Sequence, residues 1–183
     1  MKIEEKQVHE HGFVKLLDVM GNDEEVENAA RISYGEGTRK TSQTRNLIRY
    51  LMRHRHTSPF EMCEVKFHLK LPIFVMRQLV RHRTANLNEY SGRYSIMSDD
   101  FYFPKGDEIK PQSSTNNQGR EEGELSVHSG EAEFEMYRIF DGSSNAYKNL
   151  VDWNVSRELA RIVLPVSNYT EVIWKIDLHN FFH

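Results

Sequence analysis

Hydrophobic and polar residues alternate most clearly between positions 65 and 71. Val65, Phe67, Leu69 and Leu71 take every second position, with lysine or histidine between them. A period of two predicts a β-strand with one buried face. Segments 13–20 and 169–176 are rich in β-branched and aromatic residues, and they are predicted strands as well.

Elsewhere apolar residues return at intervals of three and four, which predicts helices. The predicted helices cover residues 44–53, 72–80, 131–152 and 157–164, and Pro72 would lie in the first turn of the second. In the last of them, Leu159, Ile162 and Val163 are expected to face inward. Side chains suited to helix capping also precede three helices. They are Asn22 or Asp23, Ser156 and Asp177.

Both patterns disappear between residues 105 and 130, where polar residues and glycine dominate. This composition predicts a long polar loop, which is either a mobile binding segment or a disordered insertion. Strands and helices otherwise follow one another without βαβ regularity. The predicted fold class is therefore α+β, with residues 1–183 forming a single domain in which helices flank a mixed sheet.

Composition narrows the range of functions. The chain has 183 residues and a net charge of −3, which argues against a general nucleic-acid binder. Basic residues nevertheless cluster at 49–56 and 77–93, and local clusters suit a small anionic ligand. An RNA-binding module built on residues 45–56 is the alternative, and it predicts affinity that falls steeply with salt.

The chain has one cysteine, Cys63, so an intramolecular disulfide is impossible and a reducing compartment is expected. No apolar run is long enough to cross a bilayer, and the first residues lack the apolar core of a signal peptide. We therefore expect a cytoplasmic protein without membrane contact. Cys63 is expected to be a small buried residue and not a nucleophile.

Residues 81–95 hold an unusual density of polar groups around one glycine, Gly92. Arginine forks match phosphate oxygens, and amide and carboxylate groups can bind the edge of a flat polar ring. The alternative is that Arg81, His82 and Arg83 merely form a solvated cap at the end of a helix. A zinc site at His54 and His56 is not expected, because no second cysteine or carboxylate lies at ligand spacing. No metal is predicted.

The order of residues in this segment resembles a known signature. Arg81-His82-Arg83 is followed by seven residues and then by Ser91-Gly92-Arg93-Tyr94-Ser95. This pattern closely resembles that of the flavin-dependent thymidylate synthases, and the turn at residues 57–61 is similar to theirs too. One departure is Asn86, where the signature commonly has serine.

The resemblance implies a reaction and its partners. Members of the family convert dUMP to dTMP, with methylenetetrahydrofolate as carbon donor and FAD reduced by NADPH. They form homotetramers with shared active sites, and FAD carries the chemistry, so no cysteine thiolate is needed. The alternative is a non-catalytic protein that binds nucleotide or flavin on the same scaffold.

The resemblance also implies which residues contact each ligand. The implied FAD contacts are Ser33, Ser58, Arg81, His82, Arg83, Glu89, Asp177, Leu178, His179 and His183. The implied dUMP contacts are Gln78, Leu79, Val80, Arg81, Glu89, Tyr90, Ser91, Gly92, Arg93 and Arg161. Among them Arg93 and Arg161 can neutralise the phosphate dianion.

The sequence stops soon after the cap at Asp177. Members of the family continue past the position of His183 into a helix whose arginine contacts the pyrimidine. The expectation is therefore an apparently truncated chain, and one that truly ended at His183 is expected to be catalytically crippled.

Overall fold

The computed structural model of the protein describes residues 4–35 and 44–183. Its sheet has five strands, in the order β1-β2-β3-β5-β4. They are β1 (Glu5–Val8), β2 (Gly12–Met20), β3 (Glu64–Pro72), β4 (Asn86–Glu89) and β5 (Tyr169–Asp177).

The helices confirm the α+β class that the sequence predicts. They are α1 (Asp23–Arg31), α2 (Thr44–Arg53), α3 (Ser58–Glu61), α4 (Ile73–Leu79), α5 (Ser129–Asp152), α6 (Arg157–Ala160) and α7 (Leu178–Phe182). Short 3-10 turns occupy Ile32–Tyr34, Gly106–Glu108 and Arg161–Val163. No helix in the described ranges is long and apolar enough to span a membrane.

The strands pair in antiparallel fashion, whereas the sequence predicts a mixed sheet. The pairs β1–β2, β2–β3 and β4–β5 are all antiparallel. Between β3 and β5, His68 lies 2.7 Å from Glu171, and Glu64 pairs with Lys175. Residue numbers therefore increase along β3 while those of the facing residues on β5 decrease, as in an antiparallel pair. Hairpins and chain returns therefore build this sheet without the crossovers that parallel strands need.

Several boundaries differ from the prediction. Strand β3 runs through Pro72, so α4 begins at Ile73 instead of including Pro72 in its first turn. Strand β4 lies inside the polar segment 81–95, where no strand was predicted, and it pairs with β5 from Asn86 opposite Lys175 to Glu89 opposite Val172. Strand β1 was not predicted.

Contacts divide the described chain into two compact units. The first holds residues 4–35, 44–71, 75–90 and 171–183, and the second holds 72–74 and 91–170. That these make a single domain stays a prediction from the sequence.

The first unit packs its helices around a small buried cluster of Val26, Leu51, Phe60 and Cys63. The side chain of Asn22 caps α1 by accepting hydrogen bonds from the N–H groups of Glu24 and Glu25, at 2.8 and 3.1 Å. The second unit buries Tyr147, Ala160 and Tyr169. Its fully buried Asn168 donates from Nδ2 to the carbonyls of Ser98 and Asp100, at 2.8 and 3.0 Å.

Two predicted core positions are wrong. Leu159 is 58% exposed and Ile162 is 74% exposed, although both were expected to face inward. Residues 161–163 form a 3-10 turn that follows the four-residue helix α6, so the helical face assumed for 157–164 does not exist. These apolar side chains are left on the surface of the second unit.

The polar segment 105–130 is irregular but has hydrogen bonds of its own. Gln112 and Arg120 form an isolated antiparallel bridge. The N–H of Ser113 donates to the carbonyl of Gly119 at 2.9 Å, and Gln112 Nε2 donates to the same carbonyl at 2.8 Å. Helix α5 follows directly, with His128 as its N-cap.

Candidate active site

A tight turn at residues 91–95 forms the first part of the candidate site, in the second unit. The carbonyl of Ser91 accepts from the N–H groups of Tyr94 and Ser95, both at 3.1 Å. The hydroxyl of Ser91 accepts from the N–H of Arg93 at 3.3 Å. These bonds fix the backbone through the glycine.

Side chains from α5 and α6 hold this turn in place. The hydroxyl of Tyr147 accepts from the N–H of Met97 at 3.0 Å, and Tyr147 is buried. The guanidinium of Arg157 donates to the carbonyl of Tyr94. The turn is therefore supported by rigid helices, as precise ligand positioning requires.

Gly92 is buried at the centre of the turn and has no room for a side chain. A Cβ at this position would lie 2.7 Å from Sδ of Met97 and 3.2 Å from Cδ of Arg161. Glycine thus lets the backbone approach the Arg161 side chain closely. The structure thus places Gly92 against Arg161, two of the residues that the resemblance assigns to dUMP, and contact of either with dUMP stays a prediction.

The two arginines of this group differ in their partners. Nη2 of Arg93 lies 3.4 Å from Oε2 of Glu158, and both side chains are more than half exposed, at 51% and 58%. Such a pair contributes at most about 1 kcal/mol, so a ligand anion can displace it. Arg161 is exposed and makes no ion pair with any other described residue. Neither guanidinium is therefore held in a strong ion pair by another described residue.

The Arg81-His82-Arg83 segment lies in the first unit, at the end of α4. The N–H of Arg81 donates to the carbonyl of Gln78, and that of His82 donates to the carbonyl of Leu79, both at 3.1 Å. All three cationic or titratable side chains are exposed. The turn holds their backbone and leaves their side chains open to solvent.

Two adjoining clefts lie beside α2 in the same unit. One has a volume of about 410 Å³, and the predicted flavin contacts Ser33 and Ser58 line it. The other has a volume of about 320 Å³, and His179 and His183 line it. Leu51 and His56 belong to both linings. Arg81, His82 and Arg83 line neither of these two clefts.

Three predicted contacts have structural roles in the first unit. Asp177 caps α7, because its carboxylate accepts from the N–H of Asn180 at 2.9 Å and from its side-chain amide at 2.7 Å. Leu178 packs against both apolar clusters of the unit, and its N–H donates to the carbonyl of Cys63 at 2.9 Å. Leu79 packs against the cluster that contains Trp174. Ligand contact by these residues stays a prediction.

The remaining predicted contacts flank the Arg-His-Arg segment. Gln78 is exposed, and Val80 and Tyr90 are 40% and 43% exposed. Glu89 ends β4, and the N–H of Tyr90 donates to the carbonyl of Glu171 at 2.8 Å. The edge strand β4 and this hydrogen bond therefore hold the backbone of residues 86–90 in place.

Among the cleft-lining residues that sequence reasoning missed are Arg31, Tyr50, Arg55 and His56. For Arg55 and His56 the signal was the basic cluster 49–56, which indicates a small anionic ligand but does not reveal which side chains line a cleft. Among the described residues, no group of three or more histidines, cysteines or carboxylates could hold a metal ion. Tyr50 instead packs its ring against His54 and His56, with centroids 4.2 and 6.1 Å away.

Cys63 is a packing residue in the first unit. It is 1% exposed, and burial raises the pKa of its thiol, which keeps the sulfur protonated and unreactive. Gly21 has a positive φ of 87°, and a Cβ there would lie 2.5 Å from the Cys63 sulfur. The small buried role expected from the sequence is therefore observed.

The chain matches a known protein family. The family described as "Thymidylate synthase complementing protein" matches residues 15–183. The chain belongs to this family. Its matched range includes the turn around Gly92, most of β2 and the whole of β3, β4 and β5.

Individual relatives agree with this assignment. The flavin-dependent thymidylate synthase of Wolbachia pipientis wMel is 49% identical over 180 residues, which cover 98% of this chain and 63% of the relative. That of Ehrlichia ruminantium (strain Gardel) is 53% identical over 182 residues, covering 98% of this chain and 60% of the relative. The chain thus spans about three fifths of the length of these curated relatives.

A solved structure shares the fold. The UMP/dUMP methylase PolB from Streptomyces cacaoi, bound with 5-Br UMP, superposes with a TM-score of 0.81 at 35% identity. The match covers 94% of this chain and 74% of that one. A second structure of the same methylase, bound with 5-Br dUMP, has a TM-score of 0.79.

Proposed function

We propose that the protein makes thymidylate by reductive methylation of dUMP to dTMP, with methylenetetrahydrofolate as carbon donor and FAD reduced by NADPH. The observation that carries the proposal is the turn around Gly92, where the backbone lies against the Arg161 side chain. Family membership and the methylase name of the structural neighbour support the same chemistry.

The nucleotide phosphate would bind at this turn. A phosphate monoester is nearly a dianion at neutral pH, and charge-assisted bonds from Arg93 and Arg161 would neutralise it. Arg93 would exchange its exposed carboxylate partner, Glu158, for the phosphate. The Ser91 hydroxyl already accepts a bond from the Arg93 N–H, and its own O–H remains a donor for a ligand oxygen.

The clefts beside α2 have the chemistry that a flavin needs. They combine hydroxyls of Ser33 and Ser58 with imidazoles of His179 and His183 and with an apolar wall. Concave, largely apolar surfaces with a few polar groups are typical of cofactor sites. FAD bound there would supply the reducing equivalents, and these residues would hold and orient it.

We further propose a homotetramer in which active sites are shared between subunits. Arg81, His82 and Arg83 line neither of the two clefts beside α2, although the family signature makes them flavin contacts. The second unit also exposes large apolar side chains, among them Phe134, Trp153 and Ile162 at 63%, 72% and 74%. A closed symmetric assembly would cover such surfaces and bring the arginines to a neighbouring site. Light scattering that reports a monomer with stoichiometric FAD would exclude the assembly.

The cytoplasm is the proposed location of the reaction, in keeping with a single, buried cysteine. The function is tested by purifying the full chain and recording its visible absorption spectrum. We expect bound flavin, and NADPH oxidation that requires dUMP and releases thymidylate. Flavin binding without any thymidylate would favour the non-catalytic alternative, and the absence of both would reject the proposal.

A further inference from the structure

Helices α2 and α5 end with the same pattern of hydrogen bonds. At the end of α2 the N–H of Arg55 donates to the carbonyl of Met52 at 3.2 Å, and that of His56 donates to Leu51 at 2.9 Å. At the end of α5, Asn154 donates to Val151 at 3.0 Å and Val155 to Leu150 at 2.9 Å. Both are Schellman motifs, which require a left-handed residue just after the helix.

The residues in that left-handed position are very different. Asn154 has φ 60° and Arg55 has φ 55°. Glycine is the usual residue there and asparagine is the next most suitable, because the short side chain tolerates positive φ. Arginine has no such advantage, so the backbone at Arg55 is strained by the contact that its Cβ makes at this φ. Strain of this kind is concentrated at ligand sites, where the side chain has a function that outweighs it.

Arg55 lines the cleft of about 320 Å³ in the first unit. His56, His179 and His183 line the same cleft, and none of its lining residues is an aspartate or glutamate. Arg55 makes no ion pair with another described residue. Met52 and Phe182 give the cleft an apolar wall. The lining of the cleft therefore holds one permanent positive charge and three imidazoles, and no aspartate or glutamate side chain.

We propose that Arg55 binds the anionic group of a ligand whose flat or apolar part lies against the wall of this cleft. The inference rests on the proposed function, which supplies two such ligands. FAD carries a pyrophosphate, and methylenetetrahydrofolate carries carboxylates. A guanidinium fork binds either kind of oxyanion with two parallel hydrogen bonds.

A substitution at position 55 can remove the charged side chain without lowering the stability of the fold. Arg55→Gly removes the guanidinium and also relieves the strained backbone, so its melting temperature should equal or exceed that of the wild type. Arg55→Lys keeps the charge and the strain but loses the fork. Arg53→Ala, two residues earlier on the exposed side of α2, is the control for the change in net charge. Asn154→Gly is the control for placing glycine in the left-handed position after a helix.

The measurements are the dissociation constant of FAD by fluorescence, the KM for methylenetetrahydrofolate, and the affinity for inorganic pyrophosphate by calorimetry. In Arg55→Gly at least one should weaken by about ten- to hundredfold, the range for losing a bond to a charged group. Arg55→Lys should lose less, and both controls should remain at the wild-type value. A loss confined to FAD identifies the phosphate, and one confined to the folate identifies the carboxylate.

Wild-type values for all three ligands in Arg55→Gly would overturn the inference. Its failure is distinct from that of the proposed function, because a wild-type chain that binds FAD and makes thymidylate can still be insensitive to the substitution. If the wild type neither binds flavin nor makes thymidylate, pyrophosphate alone decides. A wild type that binds no pyrophosphate then also refutes the role of Arg55.

Discussion

The turn around Gly92 and the clefts beside α2 both gather basic side chains, but they balance the charge differently. At the turn, Arg93 pairs with Glu158, and Arg157 donates to the carbonyl of Tyr94. In the smaller cleft, Arg55 and three histidines share a lining that contains no carboxylate. The first region thus pairs one arginine with a carboxylate, whereas no aspartate or glutamate lines the second.

This difference separates two ways of preparing an anion site. The turn is held by its own contacts, so its geometry should change little when a nucleotide binds. No aspartate or glutamate lines the cleft, so a bound anion would supply opposite charge there, and its binding should stabilise the first unit by mass action. Substitutions at the turn should therefore affect affinity, and ligand removal should matter most for the cleft.

The largest effect is expected from Arg161→Ala. This side chain has no ion-pair partner among the described residues, so no carboxylate would compete with the phosphate for its positive charge. Affinity for dUMP, measured by calorimetry, should fall by about 1.5–3 kcal/mol, the scale of a hydrogen bond to a charged group. FAD content should remain unchanged. Arg93→Ala should lose less, because Arg93 must first leave Glu158.

Arg138→Ala is the matched control for these two substitutions. Arg138 is also an exposed arginine of the second unit, paired with Glu135 at 2.8 Å within α5. Its removal should leave dUMP affinity at the wild-type value. An equal loss in this variant would mean that net charge, and not the turn, governs binding.

Gly92→Ala should destabilise the turn. The added Cβ would meet Sδ of Met97 at 2.7 Å and Cδ of Arg161 at 3.2 Å, so both side chains must move. The free energy of unfolding should fall by about 1–3 kcal/mol, as for other overpacked sites, and dUMP binding should weaken. Denaturant titration measures the first effect.

Gly142→Ala supplies the opposite case. Gly142 lies within α5 and a Cβ there meets nothing within 4 Å. Alanine should raise the free energy of unfolding by about 0.5–1 kcal/mol. If Gly92→Ala and Gly142→Ala changed the free energy of unfolding in the same direction, close packing would not explain why position 92 is glycine.

Cys63→Ala should separate packing from chemistry in the first unit. Because the thiol is buried among Val26, Leu51 and Phe60, its loss should leave a small cavity and cost about 1 kcal/mol of stability. Thymidylate formation per folded molecule should stay near the wild-type rate. Complete loss of turnover in a folded variant would make the sulfur a participant in the reaction.

The smallest effect is expected from Glu158→Gln. Removing the carboxylate frees Arg93, so dUMP affinity should rise, by no more than about 1 kcal/mol because the pair is exposed. The gain should shrink in added salt, which screens exposed charges. Weaker nucleotide binding in this variant would show that Glu158 orients Arg93 and does not compete with the ligand.

The sequence predicts those elements whose pattern is local. Alternation from residue 65 identified β3, and the caps at Asn22 and Asp177 identified the starts of α1 and α7. Strand β4 was missed because its four residues have no apolar pattern and its partner lies far along the chain, with Asn86 opposite Lys175. Long-range pairing of this kind leaves no local signal.

The same limit applies to the site. A signature located the turn around Gly92, yet only the fold shows that Arg161 packs against it and that Glu158 holds Arg93. Helical spacing also predicted that Ile162 faces a core, because spacing does not reveal whether the chain continues as an α-helix. Arg55 and His56 were visible as a basic run, but the cleft that they line was not.

The most direct test compares two ligands in two variants. Affinities for dUMP and FAD are measured in Arg161→Ala, at the turn, and in Ser58→Ala, at the larger cleft. The account predicts that the first variant loses dUMP affinity by about tenfold or more and keeps FAD, since one charged contact is removed. The second should lose FAD and keep dUMP. An Arg161→Ala protein that binds dUMP as the wild type does, or two variants that lose both ligands equally, would contradict it.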